Sequence, residues 1–72
     1  NPDNAEAFNN RGIAKASLGK YHEAIEDFNE ALKLDYSYTN AYYNKGKAYF
    51  DLNEYEEAIE MLDAENIKYK KG

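Results

Sequence analysis

The side chains that could catalyse a reaction or hold a metal are few, and their spacing sets most of them aside. The single histidine, His22, stands beside Glu23 and near Asp27. On a helix these three fan across a solvated face, with no further ligand to close a coordination sphere. Ser17, Ser37 and Thr39 have no base placed to activate a hydroxyl. The acidic pairs Glu56/Glu57 and Glu23/Asp27 are expected on open helix surface, where carboxylates are rarely tuned for acid–base work. Cysteine is absent, which removes thiolate sites, thiol nucleophiles and disulfides. No phosphate-cradling glycine loop occurs, and Gly12 and Gly46 fall inside helical stretches, where packing is their expected role. The sequence therefore predicts no enzyme, no metal site and no cofactor.

The 72 residues suffice for one small domain. Hydrophobic residues make up 43% and charged residues 32%, a globular balance rather than a disordered one. Eight Tyr beside several Ala suit close helix packing with amphipathic rings at the margins, and a single Pro argues against a turn-rich β protein. No apolar run approaches the roughly 20 residues of a membrane span, and no signal peptide opens the chain, so a soluble and preferably cytoplasmic protein is expected. With a net charge of −5, the chain is poorly suited to nucleic acid or to an anionic membrane.

Self-similarity organises what remains. Shifted by 34 residues, the chain matches itself at ten of the 24 positions from Ala5 to Phe28. The matches run from Ala7/Ala41, Asn10/Asn44 and Gly12/Gly46 through Leu18/Leu52 and Tyr21/Tyr55 to Ala24/Ala58 and Ile25/Ile59. Each unit reads as two helices. In the first, Asp3 is the expected N-cap with Glu6 closing a capping box, and Gly19 supplies a left-handed C-cap. A second helix begins near Tyr21 with Ala24, Ile25, Phe28, Ala31 and Leu32 on one face; His22, Glu23, Glu26, Asp27 and Glu30 occupy the other. Ser37 caps a third helix over about 38–51. Asn53, tolerant of positive φ, is expected to repeat the break before a fourth helix that starts near Tyr55. Gly12, Ala24, Gly46 and Ala58 are expected where helix axes approach closely. The fold class predicted is all-α: two tandem antiparallel helix-turn-helix hairpins, the beginning of an α-α superhelix.

These residues resemble the tetratricopeptide repeat family, whose period is 34 residues. The first unit offers Phe8, Gly12, Leu18-Gly19, Tyr21, Ala24, Phe28 and Ala31; the second offers Tyr42, Gly46, Tyr49, Leu52, Tyr55 and Ala58. Arg11 and Lys45 stand where Leu is usual, Lys15 replaces a Tyr, and Tyr36 stands where Pro is typical. The resemblance divides the chain into a linker at 1–4, one repeat at 5–38 and a second at 39–72 with an irregular C-terminal end. It also suggests a fragment of a longer array, since about three repeats are usual for a continuous core. Two units alone should be marginally stable or aided by self-association.

The resemblance implies a function as well. In the family, the first helix of each unit lines a concave groove, which here places Glu6, Asn9, Asn10, Ile13 and Ser17 beside Asn40, Tyr43, Asn44, Lys47, Phe50 and Asp51. Of the family's carboxylate-clamp pattern for C-terminal tails, only Asn44 is present. The implied function is a non-catalytic interaction module that binds an extended or helical peptide segment of another polypeptide. The alternative is a structural spacer or self-associating unit of a longer array. RNA-reading helical repeats need a basic groove, which this acidic chain lacks.

Overall fold

The computed structural model describes residues 4–71, the side chains through Glu60. Three helices account for nearly all of it: α1 (Ala5–Ser17), α2 (Tyr21–Leu34) and α3 (Thr39–Lys71). The first helix is capped by Asn4, whose side-chain oxygen accepts the Glu6 backbone N–H at 2.8 Å. That replaces the expected role of Asp3, which lies outside the described residues. At the other end Gly19 has φ +81°, as its position in the repeat requires. The Lys20 N–H donates to the Lys15 carbonyl and the Gly19 N–H to that of Ala16, both at 2.9 Å. This is a Schellman closure, and it turns the chain so that α2 runs back antiparallel to α1.

The hairpin closes on a small core. Ala24, Ile25, Phe28 and Ala31 are buried along α2, and Ala41 and Ala48 come in from α3. Ala16 and Leu52 pack at the core's edge. Gly12 is the point of closest approach: a Cβ built there would lie 2.5 Å from the Phe28 ring. The glycine expected for close packing is thus required by a ring that is itself only 1% exposed.

Between α2 and α3, Asp35 organises the connection. Its carboxylate accepts from the Ser37 N–H and, at 2.7 Å, from the Ser37 hydroxyl. Ser37 is therefore part of an Asx turn rather than the expected cap of the next helix.

The second unit departs from its expected shape. α3 runs unbroken through Leu52-Asn53, and no described residue other than Gly19 has positive φ. The third and fourth helices expected from the sequence are one helix of 33 residues. Asn tolerates the left-handed conformation but is also helix-compatible, at a smaller cost than Gly, so nothing at this position forces a bend. Gly46 consequently faces open space, with no atom within 4 Å of the point a Cβ would occupy, and Ala58 is exposed rather than packed. At 1.5 Å per residue such a helix extends roughly 50 Å. It sets the long dimension of the molecule, 56 × 18 × 15 Å. The all-helical class and the first helical hairpin stand as the sequence implies; the second hairpin is replaced by a straight rod.

Candidate peptide-binding groove

α1 and α3 lie side by side with α2 behind them, and a cleft opens between the two. Its volume is about 230 Å³. Ile13, Ala16 and Ala48 form its apolar wall over Phe28, while Ser17, Asn44, Lys47 and Asp51 supply polar groups around it. The helical periods of α1 and α3 explain the arrangement: Ile13, Ala16 and Ser17 share one side of α1, and Asn44, Lys47, Ala48 and Asp51 share one side of α3.

Of the residues assigned to the groove from sequence, Ile13, Ser17, Asn44, Lys47 and Asp51 line this cleft. Asn10, Asn40, Tyr43 and Phe50 are exposed on the same two helices but do not line it. Tyr43 and Phe50 are 70% and 61% exposed, so neither ring is used to pack the junction. Asn9 is a correction: it is 4% exposed, and its side-chain oxygen accepts from Asn44 Nδ2 at 3.0 Å. Its amide ties α1 to α3 at the base of the groove, and it is inaccessible to a ligand in this arrangement. Asn44 thereby has one amide hydrogen committed and keeps its oxygen for an incoming N–H. The apolar wall of Ala16 and Ala48 escapes sequence reasoning, because small residues on a helix carry no signal beyond packing.

A second polar cluster lies on the opposite side, and it corrects another expectation. Asp27 is buried at 3% exposure instead of solvated. Arg11 forks onto it, with Nη2 to Oδ1 at 2.7 Å and Nε to Oδ2 at 2.9 Å. Lys15 Nζ approaches at 3.3 Å, and the Arg11 guanidinium lies 5.3 Å from the Phe8 ring centre. The Arg11 hydrogen bonds hold the Asp27 carboxyl below its usual range, burial opposes them, and Lys15 assists. Arg11 and Lys15, the two cations standing where the family prefers apolar residues, are thus answered together by one buried acid. Asp27 lies three residues after Ala24 and four before Ala31, a spacing that places it within the apolar stripe.

The lowered Asp27 pKa makes stability depend on pH in a definite direction. The stabilisation is complete above the unfolded pKa of about 3.9 and is lost as pH falls through the folded value. Asp27→Asn should therefore be less stable than the natural chain at neutral pH. In urea denaturation, the gap between the two should close as pH falls below about 4. A gap that persists unchanged into acid would mean the carboxylate is not the stabilising form.

The candidate metal and catalytic residues are placed apart from one another. Asp27 is engaged inside, while His22 is exposed with its Nε2 3.7 Å from Glu56. Ser17 donates to the Ala14 carbonyl at 2.7 Å. Among the described residues no group of three or more acidic, His or Cys side chains could hold a metal ion, and every buried side-chain N or O has a hydrogen-bond partner. No helix among them is long and apolar enough to cross a membrane.

Comparison with known proteins agrees with this architecture. The family model described as "TPR repeat" matches residues 14–52, just over half of the chain. The chain belongs to the tetratricopeptide repeat family, whose members are generally protein–protein interaction modules and typically non-catalytic. Among curated proteins, it is 50% identical over 36 residues to the TPR repeat-containing thioredoxin TDX of Arabidopsis thaliana. That stretch is 50% of this chain and only 10% of the relative. No solved structure matches the chain significantly.

Proposed function

We propose that this chain is a non-catalytic module that holds a peptide segment of a partner polypeptide in the cleft between α1 and α3. The observation carrying this reading is the cleft itself, an apolar wall rimmed by the Asn44 amide, a cation and an acid. An apolar side chain of the peptide would enter against Ile13, Ala16 and Ala48. Asn44 Oδ1 would accept a backbone N–H of an extended segment. Lys47 and Asp51 would select the charges flanking the anchor, and the net charge of −5 favours neutral or basic partners overall. Asn10, Asn40, Tyr43 and Phe50 would extend the contact along the exposed sides of the two helices. Residues 5–38 serve in this reading as one repeat and 39–72 as a second, with the groove continued by further repeats of a longer array. The relative named as a thioredoxin does not extend that chemistry to this chain, which has no cysteine and so supplies no dithiol.

The test begins with a display screen of random peptides against the chain and calorimetry on the selected binder. Ile13→Asp places a charge in the apolar wall and should weaken binding about tenfold or more, equivalent to at least ~1.4 kcal/mol. Tyr43→Ala should also weaken it, whereas Lys33→Ala on α2 should leave it unchanged. Equal affinity of Ile13→Asp and the natural chain would move the binding site elsewhere.

A further inference from the structure

The continuous α3 leaves two faces largely exposed that the repeat itself makes complementary, although Tyr55 and Ile59 also border a hollow beside the Gly19–Glu23 turn. In the first unit, the Gly12 side of α1 is covered by Phe28 of α2, which clusters with Ala24 and Ile25. The counterpart of that α1 face is Tyr42, Gly46 and Tyr49, with both rings about half exposed and Gly46 open. The counterpart of the α2 face begins with Tyr55, Ala58 and Ile59, all exposed. Along a straight helix Gly46 and Ala58 are about 18 Å apart, so the two faces cannot meet within one such chain.

We propose that these faces meet between copies of this chain, the 42–49 face of one copy receiving the 55–59 face of another. Charge supports the pairing. Beside the receiving face stands Lys45, and 40–49 holds no acid, while 54–60 carries Glu54, Glu56, Glu57 and Glu60 and no cation. The sequence adds a co-substitution: the first unit's Lys15–Asp27 ion pair falls, 34 residues on, at Tyr49 and Met61. Both members have changed from charged to uncharged together.

Geometry also fixes how the copies are related. At 100° per residue the two faces lie roughly 120–180° apart around α3. One partner helix cannot lie on both sides of the rod, so a closed two-fold pair is excluded and association is head to tail. The groove residues Tyr43 and Lys47 point to a third side, so the association is independent of peptide binding and survives if that reading fails.

The experiment is sedimentation velocity on the natural chain and two variants, with circular dichroism to verify their helices. Gly46→Leu fills the receiving face, where a side chain meets only solvent in the single chain. Ile59→Asp spoils the donating face at an exposed position. The natural chain should grow past dimer as concentration rises into the millimolar range, and each variant alone should stay monomeric. Mixed one to one, the variants should form a dimer and nothing larger, because only one productive interface remains. A natural chain that stays monomeric throughout, or a mixture that fails to pair while the natural chain associates, would overturn the proposal.

Discussion

Phe28→Ala should remove most of the stability of this fold. Among the described residues the ring is the one large side chain that is fully buried, and it touches Gly12 while packing with Ala24, Ile25 and Ala48. Truncating a buried Phe costs ~3–5 kcal/mol, through lost transfer energy and the cavity left behind. A domain of this size is stabilised by roughly 4–11 kcal/mol in total, and its small core places it toward the lower end. Helical circular dichroism at room temperature should therefore fall sharply, and any remaining transition should shift to low urea. Phe28→Leu, which keeps most of the volume, should retain a cooperative transition. A Phe28→Ala variant with an almost natural midpoint would mean that the α1–α2 hairpin is not held by this contact.

Gly12→Ala is the complementary test, because it adds one methyl where Phe28→Ala removes a ring. The added Cβ would sit 2.5–3.0 Å from three atoms of the Phe28 ring, which is itself buried. Overpacking of this kind costs ~1–3 kcal/mol, offset in part by the ~1 kcal/mol gained when alanine replaces glycine in a helix. The net effect should be a lower melting temperature. At concentrations where the chain is monomeric, Gly46→Ala should instead be neutral or stabilising, since its methyl meets nothing within 4 Å. Combining Gly12→Ala with Phe28→Leu should cost less than the sum of the single changes, as residues in contact couple. Strict additivity would refute the contact.

The contrast between these two glycines also marks how far the sequence can be read. The turn at Gly19 and the apolar face of α2 follow from local rules, and the structure places them as those rules imply. What local rules cannot decide is whether a tolerant residue is used. Gly19 is in the left-handed conformation, whereas Asn53 in the same register is helical, and that single difference converts a hairpin into a rod. Asp27 is obscured for another reason: charge alone assigns it to the solvated face, although its spacing from Ala24 and Ala31 sets it in the stripe. The two cations Arg11 and Lys15, four residues apart where apolar side chains are usual, are the signal that a buried acid would answer them. For the groove, Ile13, Ser17, Asn44, Lys47 and Asp51 are legible from the family's lining positions. Asn9 is not, because an amide reads the same whether it awaits a peptide or bridges two helices.

The most direct test of the central claim is amide shift mapping of the isotope-labelled chain with a peptide selected by display. Binding in the groove predicts the largest shifts at Ile13, Ser17, Asn44, Lys47 and Asp51, with smaller ones at Tyr43 and Phe50, and their loss in Ile13→Asp. Shifts confined to the outer face of α2 around Glu26, Glu30 and Lys33, with the cleft residues unmoved, would contradict it.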